Sequence, residues 1–132
     1  MIERIKVASS SHEQLRDITA AVNDVLHRSR VQEGICHIFV PHTTAGLIVN
    51  ENADPDVCRD ILEWLESAVP SARPFRHAEG NAPAHIKASL VGQSASIPVE
   101  GGRLALGTWQ GVYLAEFDGP RQRTVIISVA GL

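Results

Sequence analysis

The chain has 132 residues, 44% of them hydrophobic, and a formal charge of −3. That length suits one domain, residues 1–132, and falls short of the roughly 200 residues that a TIM barrel needs. With no basic patch, duplex nucleic acid is excluded as a partner, and no apolar run is long enough for a membrane span.

Met1-Ile2-Glu3-Arg4 opens a strand-like pattern rather than a signal peptide, so the expected compartment is the cytoplasm. Ile5 and Val7 alternate with Arg4 and Lys6, as in a half-buried first strand. Ser9-Ser10-Ser11 offers candidate N-caps for a helix carrying Leu15, Ile18, Val22, Val25 and Leu26 at helical spacing, with His27 and Arg28 complementing its C-terminal dipole. Gly34 to Val40 is apolar on both alternating sets and reads as a central strand ended by Pro41. Cys36 falls in that strand and Cys58 in a helical pattern, both as small buried or half-buried hydrophobes, with no C-x-x-C.

A second strand runs from Ala45 to about Val49. Asp54 caps a helix that starts at Pro55, carries Val57, Ile61, Trp64 and Leu65, and ends before Val69-Pro70. Ser71 to Asn81 is a polar loop. Asn81 then reads as the N-cap of a short helix from Ala82 to Leu90, with Ile86 and Leu90 on its buried face. Ser94 to Val99 is a strand, and Glu100-Gly101-Gly102 turns it into Arg103 to Leu106. Gly107 to Gly111 interrupts, with Trp109 expected to anchor the core. Strands follow at Val112 to Phe117 and Arg123 to Val129, separated by the turn Asp118-Gly119-Pro120. Helices interleaved with these strands imply an α+β fold around a largely antiparallel sheet, with two main helices and one short one.

The chemistry concentrates in a few stretches. His42-Thr43-Thr44 follows the strand-ending proline, His77 lies in the polar loop, and His85 sits early in the short helix. Three converging imidazoles make an open site for zinc or a similar divalent metal; the alternative is three unrelated histidines hydrogen-bonded to backbone. The start of the short helix is a candidate anion site. His37, inside an apolar strand, reads as a packed or interface residue, and His12 and His27 as surface residues. Asn50 to Asp56 lacks the sixth-position glycine and closing glutamate of an EF-hand loop. No G-x-G-x-x-G, Walker or G-x-S-x-G motif is present, so hydride transfer, nucleotide hydrolysis and serine-hydrolase chemistry have no support.

Five stretches together resemble the YjbQ family of small bacterial and archaeal proteins. They are His42-Thr43-Thr44-Ala45-Gly46-Leu47, Asn50-Glu51-Asn52-Ala53-Asp54-Pro55, Glu79-Gly80-Asn81-Ala82-Pro83-Ala84-His85-Ile86-Lys87, Gly107-Thr108-Trp109-Gln110, and Glu116-Phe117-Asp118-Gly119-Pro120-Arg121. The resemblance implies an α+β fold, a homotrimer and a secondary thiamine-phosphate synthase activity. It places His42, His77 and His85 at a metal or anion site, with Gln110 and Glu116 on further family positions. One branch of the family has a more acidic loop and a histidine after the equivalent of Glu116; here Asn81-Ala82 and Phe117 stand instead.

The resulting expectation is an enzyme-like pocket at a subunit boundary. His42, His77 and His85 surround a zinc-like divalent metal, with magnesium as the alternative, and His42, His85, Lys87 and Glu116 carry the chemistry. Thr43, Asn81, Trp109, Gln110 and Arg121 are expected to bind a small phosphorylated molecule. The competing expectation is a non-catalytic trimer that binds a metal or a phosphorylated metabolite.

Overall fold

A computed structural model describes residues 1–132. Ile2–Ala8 (β1) is the edge strand of a five-stranded sheet, antiparallel to Gln122–Gly131 (β8), which pairs on its other side with Gly34–Phe39 (β3). Ser94–Glu100 (β5) pairs with β3, and the two-residue Arg103–Leu104 (β6) completes the order β1-β8-β3-β5-β6. A second sheet places Gln110–Glu116 (β7) between Gln14–Asp17 (β2) and Ala45–Glu51 (β4). Every pairing in both sheets is antiparallel. Gly101 and Gly102 both take positive φ (57° and 75°) in the β5–β6 turn, the conformation a two-residue hairpin needs.

The main core lies between the sheets. Cys36 and Ile38 of β3, Val125, Ile127 and Val129 of β8, Leu47 of β4, and Val112 and Leu114 of β7 all turn inward. Val22, Val25 and Leu26 of the helix Thr19–Ser29 (α1) close one side. The opposite face of the smaller sheet, at Ala115 and Phe117, is covered by Leu65 of the helix Pro55–Ala68 (α2). Ala84 and Ala88 of the helix Ala82–Val91 (α3) complete that cover. The domain is thus α+β, with three helices, and no helix is long and apolar enough to cross a membrane.

Four local expectations change. The helix expected after Ser9-Ser10-Ser11 begins only at Thr19, and Gln14–Asp17 pairs instead with β7. Asp17 is the reason: its carboxylate accepts from the Thr19 amide (2.9 Å) and hydroxyl (2.6 Å), which puts the turn there. In α3 the buried face is Ala84, Lys87 and Ala88, whereas Ile86 and Leu90 are 38% and 62% exposed. Asn81 precedes α3 without a side-chain cap, and its amide turns to Asp118. Trp109 is 63% exposed rather than a core anchor, in a turn closed by Gln110 Oε1 accepting from the Gly107 amide.

Small residues bring α3 against the sheet. The Leu47 amide donates to the Gly92 carbonyl at the end of α3, and a Cβ on Gly46 would stand 2.5 Å from that oxygen. Only glycine allows this approach, which sets His85 on α3 across from the β3–β4 connection. On the outer face of the larger sheet, His37 is half-buried and bonded through Nδ1 to Ser96 Oγ at 2.8 Å.

Candidate anion-binding cleft

The ladder between β3 and β8 ends at the pair Phe39 and Ile126, and Pro41 cannot donate a further hydrogen bond. The β8 strand runs on beyond that point. Its Thr124 amide, with no strand partner on this side, donates to Nε2 of His42 at 2.9 Å. Beside it, Arg123 and Glu116 meet at the end of the inter-sheet core. Glu116 continues the inward row of Val112 and Leu114, and Arg123 that of Val125 and Ile127. Arg123 donates from Nε to Glu116 Oε1 at 2.8 Å and from Nη2 to the second carboxylate oxygen. The same Nη2 reaches the Thr44 hydroxyl at 2.9 Å. The Ser9 hydroxyl donates to Glu116 Oε1 (2.7 Å), and the Asp118 amide to Oε2 (3.0 Å).

Above this floor the β3–β4 connection, the start of α3 and the β7–β8 turn enclose two hollows that share Pro41, His42, Thr43 and His85. One, about 380 Å³, is lined also by Thr44, Glu79, Asn81, Asp118, Arg121 and Arg123. The other, about 460 Å³, extends past Phe39, Ser89 and Gln93. Arg121 is braced on Asp118, with Nε on its carbonyl (2.7 Å) and Nη2 on its carboxylate (3.1 Å). Asn81 Nδ2 donates to the same carboxylate at 3.0 Å, which leaves Asn81 Oδ1 buried without a partner. His77 packs edge-on against His85, ring centres 5.1 Å apart.

The titration tendencies follow from these contacts. Burial and the Arg123 cation hold the His42 pKa below its usual value, so the neutral ring is favoured. Burial alone would raise the Glu116 pKa, but the Arg123 and Ser9 hydrogen bonds outweigh it and hold the carboxyl low. For Asp118, too, burial is outweighed by the bonds from Asn81 and Arg121, and its pKa is lowered.

Of the residues singled out from the sequence, His42, Thr43, Asn81, His85 and Arg121 line the cleft, and Glu116 lies beneath it as the partner of Arg123. Lys87 does not. Two residues on from His85 it points to the other side of α3, 1% exposed, with Nζ bonded to Glu13 (2.6 Å) and Glu66 (3.0 Å). Trp109 and Gln110 lie at the opposite end of β7 from Glu116. The α3 N-terminus offers few free donors, since Pro83 has no N–H and the Ala84 amide is taken by the Asn81 carbonyl.

The expected three-histidine metal site does not fit these residues as placed. His42 Nε2 is engaged as an acceptor, His77 meets His85, and no group of three His, Cys, Asp or Glu side chains converges to hold an ion. From the sequence Arg123, like Arg121 beside the last turn, reads as a phosphate-binding or surface ion-pair arginine; its burial against Glu116, and the parts played by Thr44 and Ser9, were missed. The available signal was a charged residue on each of two otherwise apolar inward rows, Arg123 in β8 and Glu116 in β7, which calls for a pair.

The sequence profile of the family described as UPF0047 protein YjbQ-like matches residues 3–132. Among curated relatives, a UPF0047 protein of Methanocaldococcus jannaschii is 46% identical over 99% of this chain and 95% of its own length. UPF0047 protein YugU of Bacillus subtilis is 45% identical over 99% of this chain and all of its own. Among solved structures, a YjbQ/UPF0047 protein of Clostridium acetobutylicum superposes with a TM-score of 0.95 at 48% identity, covering 97% of this chain and 99% of that one. A YjbQ-like protein of unknown function from Sulfolobus solfataricus gives 0.96 at 34% identity, over 100% of this chain and 97% of that one. The whole fold and the whole length agree, and the chain belongs to the YjbQ/UPF0047 family.

Proposed function

We propose that the cleft takes up a small phosphorylated molecule through hydrogen-bond donors and that His85 exchanges a proton with it. The observation that carries this reading is Arg123. Its Nε and Nη2 are fixed on Glu116 and Thr44, while Nη1 has no partner in the chain and is not sealed from the cleft the residue lines. A guanidinium clamped on one edge presents the other as a preorganised phosphate donor. Arg121, braced on Asp118, and the exposed Thr43 hydroxyl add donors on the same wall. His85, whose ring nitrogens have no hydrogen-bond partner in the chain, is the free imidazole beside them.

Thiamine-phosphate synthesis fits this donor set in one respect. Joining a pyrimidine methyl diphosphate to a thiazole phosphate breaks a carbon–oxygen bond and expels pyrophosphate, whose charge the arginines would stabilise. We read that activity as incidental to another phosphate-ester reaction. In this proposal the subunits form the homotrimer that the resemblance implies, and Trp109 and Gln110, at the far end of β7 from Glu116, join the cleft of a neighbouring chain. A sedimenting monomer at micromolar concentration would end that part.

The test is calorimetric titration with pyrophosphate, alongside pyrophosphate release from the two synthase substrates. Wild type is expected to bind, and Thr43→Val and Arg121→Gln to bind about tenfold more weakly each. Equal binding in all three overturns the reading. Binding without slow turnover favours a sequestering protein over an enzyme.

A further inference from the structure

We propose that His42 is held by the fold as a neutral Nδ1–H donor facing the cleft, which makes it a selector for an unprotonated oxygen of the ligand and not a metal ligand. The inference deepens the phosphate reading above and rests on it for the nature of the acceptor alone.

A backbone amide only donates, so the Thr124 N–H fixes Nε2 as the acceptor and leaves the ring proton on Nδ1. The hydrogen bond is not incidental. Thr124 lies two residues past the last β3 pair, Phe39 with Ile126, in a strand whose neighbour has ended. The imidazole occupies the place of the missing strand acceptor, and any ring orientation that gave up Nε2 would leave that amide without a partner.

Nδ1 has no acceptor within the chain and is not sealed from solvent, and His42 lines both hollows. A metal at Nδ1 would require the proton to move to Nε2, directly against the Thr124 N–H. Protonation of the ring meets the same opposition. The surrounding groups agree with a neutral ring: burial and the cations of Arg123 and Lys6 disfavour charge and outweigh the nearby Glu116 carboxylate, which favours it. His42 therefore neither ligates a metal nor relays a proton through Nε2. Proton exchange in the cleft falls to His85.

Long-range proton–nitrogen correlation spectra of histidine-labelled protein near pH 7.5 read the tautomer directly, with His42→Gln assigning the resonances. The expected result is a protonated Nδ1 and an unprotonated Nε2 for His42, unmoved when zinc is added. Signals of the opposite tautomer, or of two averaging tautomers, or a zinc-induced shift at His42, overturn the inference. Pyrophosphate is the second probe. It is expected to shift His42 Nδ1; if the tautomer is as stated but pyrophosphate leaves it unmoved, the donor assignment stands and the phosphate reading fails. A side-chain comparison adds a stability-independent check. In His42→Gln the amide oxygen can replace Nε2 as acceptor for Thr124 but no donor stands at the Nδ1 position, so the variant is expected to fold and to bind pyrophosphate about tenfold more weakly. His42→Asn places an amide donor near the Nδ1 position and is expected to retain more binding than His42→Gln; the reverse order counts against the inference.

Discussion

Arg123 and Glu116 form a two-point ion pair between β8 and β7, with 5% and 0% of their side chains exposed, and so join the two sheets at the end of the core nearest the cleft. Removing one partner leaves the other charged and buried. Glu116→Ala is expected to lower unfolding free energy by about 3–5 kcal/mol, whereas a Glu116→Leu, Arg123→Met double variant loses much less because neither charge remains. Urea denaturation of the three proteins checks this. A single variant as stable as wild type would show that the pair is not sealed.

The folded state holds the His42 pKa below that of the unfolded chain, so the unfolded chain takes up a proton first as pH falls. Stability is therefore expected to decline as pH drops from about 6.5 toward the lower folded-state value. His42→Gln should flatten that limb of the melting-temperature profile. Glu116 and Asp118, both held low, act further down: their stabilisation is present above the unfolded carboxyl range, about pH 4, and is lost as pH falls through their folded-state values.

Lys87 offers a contrast. Burial alone would lower its pKa, but Glu13 and Glu66 more than offset this and raise it. Its contribution is full below about pH 10.4 and is lost as pH rises through the folded-state value. Lys87→Met is expected to cost about 1–3 kcal/mol of stability, since the carboxylates it leaves are partly exposed and keep water as a partner. Pyrophosphate affinity of the folded fraction should be unchanged. A large loss of affinity with stability intact would return Lys87 to the cleft.

Gly46→Ala tests how α3 is seated. The added methyl would meet the Gly92 carbonyl at 2.5 Å, a distance the backbone must relieve by moving α3 away from β4. The expected outcome is a destabilisation of about 1–3 kcal/mol together with weaker pyrophosphate binding, because His85 travels with the helix. Unchanged binding would mean that the relief comes elsewhere.

Much of this fold is legible in the sequence because it obeys local rules. The alternation of β1 and β8, the two-sided apolar run of β3 and the Asp54 cap all follow from residue pattern, and Asp54 Oδ1 accepts from the Asp56 amide as a cap should. The segment before α1 misled because Leu15 and Ile18 have helical spacing but belong to different cores, Leu15 beside α2 and α3 and Ile18 between the sheets. Ile86 and Leu90 misled because α3 packs by its alanines, which a search for large apolar residues passes over. The opposed directions of His85 and Lys87 were readable, since two residues along a helix turn through about 200°. The Thr124 contact with His42 was not: it depends on where β3 stops beside a strand more than eighty positions away in sequence.

The length of β7 has a consequence for genetics. Gln110 and Glu116 stand at its two ends, about 20 Å apart at the rise of an extended strand, and the exposed indole of Trp109 lies beyond Gln110. Pyrophosphate is far shorter than that gap, so within one chain it cannot touch both motifs. If the proposed trimer combines the histidines of one chain with the Trp109 turn of the next, a His85→Ala chain and a Trp109→Ala chain are each expected to lose pyrophosphate binding alone. Co-expressed, they are expected to regain part of it, because some clefts then assemble from two intact halves; no recovery on co-expression would overturn the shared cleft.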